Sequence, residues 1–193
     1  MPELRWTMIA LGLAAACSAE PRGQAPTPPL APPMASPSPH ADKVTPPMQG
    51  RLAQLQALIG SDQAAVIQRF AIPPDHVEPD VAYEAMKDVT RIHHPEDALL
   101  GDARLYFRAG KLALIYLSGG AGVEASELDA ATAGGEPVML RSRAGKTSQL
   151  RVYAGKGVAV SRGKQLDFVE LFAPTTQADY ERSIYVAPPA FKL

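Results

Sequence analysis

The sequence predicts an α+β fold: an antiparallel sheet with helices on one face, preceded by a disordered Pro-rich linker. Three observations predict it. Leucines recur at helical spacing in residues 52–59. From residue 103 onward, short runs of strand character follow one another across tight glycine turns. The order helix, glycine, polar stretch, hairpin occurs in 52–118 and again in 123–172. That repetition predicts an internal duplication, with two units side by side in one continuous sheet.

The elements follow in order. Leu52, Leu55, Leu58 and Ile59 form one helical stripe. Gly60 is placed to end that helix and Ser61 to cap the next, whose buried face would be Ala65, Val66, Ile67 and Phe70. Pro73 and Pro74 stop it. Residues 80–89 fit a short helix or a strand equally well, and a strand is expected around 88–92. Residues 103–118 read as a hairpin. A short helix over 124–133 is stopped by Gly134 and Gly135. Strands are expected over 137–143, 148–153, 157–161 and 165–172. Thr176 with Asp179 has the pattern of a capping box, opening a last helix over 177–185.

Gly145-Lys146-Thr147 ends as a phosphate-binding P-loop ends. Such a loop needs a glycine five residues before Gly145, so that successive backbone N–H groups can cradle phosphate oxygens. Position 140 is Leu. Gly-Lys also occurs at 110–111, 155–156 and 163–164, mostly between strand-like runs. Hairpin turns explain the set: glycine supplies the positive φ and lysine keeps the tip in water. No nucleotide is expected. With a net charge of -1 the chain has no basic excess to suit nucleic acid.

The first residues carry an address. Residues 6–16, WTMIALGLAAA, are an apolar run that fits a signal-peptide core and is too short to span a bilayer. The only cysteine, Cys17, follows Ala16. Leu13-Ala14-Ala15-Ala16-Cys17 resembles the lipobox of bacterial lipoproteins, with Ala14 where that family prefers leucine. The resemblance implies cleavage between Ala16 and Cys17, a diacylglyceryl thioether on Cys17 and an acylated new N-terminus. Ser18 in place of Asp then favours the outer membrane, facing the periplasm, over the inner. The alternative is an ordinary secretory signal cut after A-x-A. It would leave an unpaired thiol in an oxidising compartment.

These segments divide the chain into a signal peptide (1–16), a lipidated N-terminus with its linker (17–49) and a globular domain (50–193). Residues 19–49 are rich in Pro, Ala and Ser, without helical or strand period. Proline removes backbone donors and favours extended polyproline II, so this segment reads as a tether of up to roughly 90 Å at about 3.1 Å per residue. The layout of the domain resembles that of the small assembly lipoproteins of the β-barrel insertion machinery and of the β-lactamase-inhibitor fold. Its LIGSDQAAVIQRF segment is similar to the helix opening of the former. The resemblance implies a protein-binding module without catalysis.

The search for chemistry turns up one cluster of metal-ligand types: Asp75, His76, Glu78 and Asp80, then His93, His94, Glu96 and Asp97. The spacing is poor for a metal. Adjacent histidines on a strand point to opposite faces, so His93 and His94 cannot both ligate one ion without a bend. A solvated loop is the expectation, with no metal and no cofactor. There is no G-x-S-x-G elbow. Glu124, Glu127 and Asp129 sit within one short helix, where a solvated outer face accounts for them. The sequence therefore leads to a lipid-anchored envelope protein with a non-catalytic domain that binds another envelope protein. The alternatives are a metal-dependent envelope enzyme using His76, His93 or His94, and a carrier of a small apolar ligand.

Overall fold

The computed structural model describes residues 50–120 and 122–189. Helices α1 (Arg51–Gln56) and α2 (Gln63–Arg69) lead into strands β1 (Val77–Tyr83), β2 (Met86–His93), β3 (Ala103–Arg108) and β4 (Lys111–Ser118). Helix α3 (Ala125–Thr132) follows. Strands β5 (Val138–Arg141), β6 (Gln149–Tyr153), β7 (Val158–Arg162) and β8 (Leu166–Phe172) come next, and α4 (Gln177–Ser183) last. The strands form one sheet in the order β1-β2-β3-β4-β8-β7-β6-β5. Every neighbouring pair is antiparallel. Each half is a four-stranded meander, and the halves meet where β4 pairs with β8, from Leu114 opposite Phe172 to Ser118 opposite Phe168. The duplicated layout expected from the sequence is the topology observed.

Side-chain alternation divides the core between two faces. On the first, Leu105, Ile115, Leu117, Val158, Val160, Val169 and Leu171 pack under Leu52 and Leu55 of α1, Val66 of α2 and Leu128 of α3. On the second, Leu114, Leu150, Val152, Ala159, Phe168 and Phe172 pack against Tyr180 of α4 and the following Ile184. So α1, α2 and α3 share one face as expected, while α4 lies on the other. The cause is local: β8 runs straight into α4 through residues 173–176, and Tyr180 seats its ring 4.9 Å from that of Phe172.

Local expectations are borne out at several points. The Thr176 hydroxyl accepts the Asp179 amide at 3.1 Å and caps α4. Ala109 and Gly110 are both left-handed (φ 49° and 75°), as a type I′ hairpin turn requires, and they join β3 to β4. Others need correction. The residue capping α2 is Asp62 rather than Ser61, and no side-chain bond closes that cap. Residues 80–89 are neither one helix nor one strand but the turn end of the β1–β2 hairpin. Strand β1 was hidden by Pro79 and by register shifts on either side of Val81.

Gly157 shows how tightly the second half closes. Its φ is +68°, and a Cβ built there would stand 2.1 Å from the Phe172 carbonyl oxygen. The same glycine's carbonyl accepts the Phe172 amide at 2.9 Å. Backbone cannot yield as a side chain does. Gly157→Ala should therefore lose at least about 1–2 kcal/mol of stability from the left-handed conformation alone. A urea-unfolding midpoint that stays in place would contradict this close approach.

Candidate functional site

Two polar clusters stand out among the described residues. The first is built around Glu170, whose side chain is fully buried. It lies on the second face at the middle of β8, opposite Tyr116 of β4. A carboxylate in such a place must collect donors. The Tyr83 hydroxyl donates to Oε1 and the Tyr180 hydroxyl to Oε2, each at 2.6 Å. Arg143 Nη1 donates to Oε1 at 3.0 Å, and the Arg143 guanidinium also donates to the Tyr83 hydroxyl. Glu84 Oε1 pairs with the same Arg143 nitrogen, Nη1, at 3.1 Å. The guanidinium lies 4.2 Å from the Phe168 ring centre and 4.8 Å from that of Tyr83. Burial first, then the Glu170 carboxylate, push the Tyr83 and Tyr180 phenols well above their usual range. Burial alone would lower the Arg143 pKa, but Tyr83, Glu170 and Glu84 outweigh it and raise it. Both carboxylate oxygens have partners and no solvent reaches them, so this cluster holds the fold rather than presenting a reactive group.

The second cluster gathers His76, His94 and Glu96. Helix α2 ends before the prolines expected to stop it, at its C-cap Phe70 with Ala71 left-handed; Pro73 and Pro74 instead start a 3-10 turn, Pro74–His76, that delivers His76 to the head of β1. Val77 pairs with Ile92, so the residue before β1 comes beside the residues that follow β2. His76 Nδ1 and His94 Nδ1 stand 3.0 Å apart. Glu96 Oε2 is 3.2 Å from His94 Nδ1 and 3.8 Å from His76 Nδ1. These three are donor types that hold divalent ions. His93, inside β2 opposite Arg104, is not among them, as strand alternation requires. The expected solvated loop is therefore a more ordered place than the sequence implied. Asp97 Oδ1 accepts the Leu99 and Leu100 amides at 2.9 and 2.8 Å and sets the turn after Glu96. Asp75, Glu78 and Asp80 take no part; Glu78 pairs with Arg91 instead.

Other sequence candidates fall out differently. Gly145-Lys146-Thr147 lies in the loop between β5 and β6, with no helix after it. Glu127 is not simply outward: its Oε2 stands 3.5 Å from the Leu52 amide, at the long limit of a hydrogen bond, as α3 meets α1. The buried Ser142 and Ser161 hydroxyls stand 2.5 Å apart, and Ser161 donates to the half-buried Asp167 carboxylate at 3.0 Å. Ala16, Cys17, the signal peptide and the Pro-rich linker lie outside the described residues. No helix among the described residues is long and apolar enough to cross a membrane.

The two sheet edges differ. β1 carries Glu78, Pro79 and Asp80, breaks register twice, and holds Asp80 at a φ of 55°. Charge, proline and bulges of this kind defend an edge. β5 pairs with β6 in regular register, Val138 to Val152 through Arg141 to Gln149. Val138 and Met139 are 41% and 47% exposed. The Tyr185 hydroxyl donates to the Arg141 carbonyl at 3.1 Å, so the unguarded part of this edge is Val138–Leu140. Comparison with known proteins yields no matching family model, no matching curated protein and no matching solved structure.

The Glu170 cluster predicts alkaline weakness. Above about pH 10 the unfolded chain gives up its phenolic protons while the folded one keeps them. The contribution of Tyr83 and Tyr180 to stability is thus constant below that pH and falls above it, by about 1.4 kcal/mol per pH unit for each. Denaturant midpoints should fall more gently with pH in Tyr180→Phe. At neutral pH that variant should be about 1–3 kcal/mol less stable, because Glu170 Oε2 loses its donor. Identical profiles for the two proteins would refute this account.

Proposed function

We propose that the protein is a lipid-anchored cell-envelope protein. Its tethered domain binds another envelope protein without catalysis. The anchor rests on the lipobox-like Leu13–Cys17 string, and the location favoured by Ser18 is the outer membrane, facing the periplasm. The Pro-rich stretch over 19–49 would give the domain reach. The observation that carries the binding function is the β5 edge. Val138 and Met139 are large, apolar and exposed on an edge strand in regular register, while the opposite edge is defended. An extended segment of a partner adds to such an edge through main-chain hydrogen bonds, and its alternate side chains read the apolar ones. The buried, fully partnered Glu170 cluster is consistent with a domain that holds its shape while an edge does the binding.

Two measurements test the reading separately. Cys17→Ala should move the chain from the membrane fraction to the soluble one; unchanged fractionation with no acyl mass on Cys17 would remove the anchor. A photo-crosslinking residue at position 139 should capture a distinct envelope protein in cells, while the same residue at position 78 on β1 should not. Equal capture at both positions, or none at 139, would count against the β5 edge.

A further inference from the structure

We propose that His76, His94 and Glu96 form a binding site for a divalent first-row transition ion, with zinc the best fit. The argument begins with the donors. Two imidazole nitrogens and one carboxylate oxygen converge, and all are atoms that ligate zinc. The distances are compatible with three ligands of one ion. With metal–ligand bonds of about 2.0–2.1 Å, two ligands of a tetrahedral ion stand about 3.3 Å apart. The three separations here are 3.0, 3.2 and 3.8 Å. The two histidines present the same nitrogen, Nδ1, to each other. An ion bound by both nitrogens at about 2.0–2.1 Å would sit to one side of the line between them.

The supports are ordered. His76 sits at the end of a 3-10 turn fixed by Pro73 and Pro74, and its amide donates to the Pro73 carbonyl at 3.1 Å. His94 has only 12% of its side chain exposed. It follows β2, whose register with β1 brings the two histidines together. Glu96 precedes the turn organised by Asp97 and is 64% exposed, which leaves one side of the site open to water. Three protein ligands and a solvent-facing fourth position are the form of an open zinc site. The site lies at the open end of the β1–β2 hairpin and is independent of the β5 edge.

The chain contains four histidines, so His40 and His93 serve as internal controls. The probe is Zn2+ titrated into tag-free, chelator-stripped full-length protein by calorimetry. The expected result is saturable binding of one ion per chain. His76→Gln and Glu96→Gln should each weaken it at least tenfold, about the scale at which disturbing even an outer partner of a ligand acts. His93→Gln and His40→Gln should leave it unchanged. Because Glu96 is mostly exposed, its variant keeps the fold, and circular dichroism of both site variants separates lost binding from lost structure. X-ray absorption of the zinc-loaded protein should show two imidazoles. Absence of saturable binding would overturn the proposal and leave a hydrogen-bonded histidine pair beside an acidic side chain. Binding that survives in both site variants, or that is lost with His93 or His40, would overturn it as well.

Discussion

A carboxylate without water organises this domain. Glu170 sits where the two meanders meet, and its charge has to be met by protein alone. The donors come from far apart: Tyr83 from the end of β1, Arg143 from the loop after β5, and Tyr180 from α4. The outermost strand of each half is thereby tied to the central strand, and the last helix is tied to both. Register follows from the same constraint. A one-residue slip of β8 would turn Glu170 to the first face, among the leucines and valines under α1 and α3, where no such donors wait.

Around that centre the two halves are alike in topology and unlike in finish. The first is covered by α1 and α2 and ends outwardly in a bulged, charged strand. The second is covered by α3 on one face and α4 on the other, and ends in a short regular strand with apolar side chains in solvent. Duplicated architecture supplies two equivalent edges, and the sequence treats them oppositely. The Pro-rich approach to β1 also creates the 3-10 turn that brings His76 to His94, so the defended edge and the histidine pair share one origin in residues 73–80.

Much of the fold was legible in the sequence. Residues 103–118 and 149–172 read as strands because apolar side chains and glycine turns mark them directly. Strand β1 was not legible, since proline and bulges erase its alternation. The face chosen by α4 was not either: a helix's own pattern says which side is apolar, not which side of a sheet receives it. Glu170 stands inside an otherwise apolar run, and a lone acid at a buried strand position is itself a signal. The histidine cluster is visible in the sequence as a set of residue types, but its spacing along the chain does not suit a metal. His76 and His94 are separated by 18 residues, and only antiparallel pairing of β1 with β2 makes them neighbours. Had the segment over 77–83 been recognised as the partner of β2, the pairing would have followed.

The unequal edges have a consequence for assembly. A sheet that can be extended on both sides can propagate without limit. This sheet can be extended on one side. In the direction of strand pairing it offers a single undefended edge. Two copies joined there would make a closed pair with a defended strand at each end, and a third could not add. The bulges and charges of β1 would then act as a stop, leaving room for one strand-mediated contact and none for a fibre.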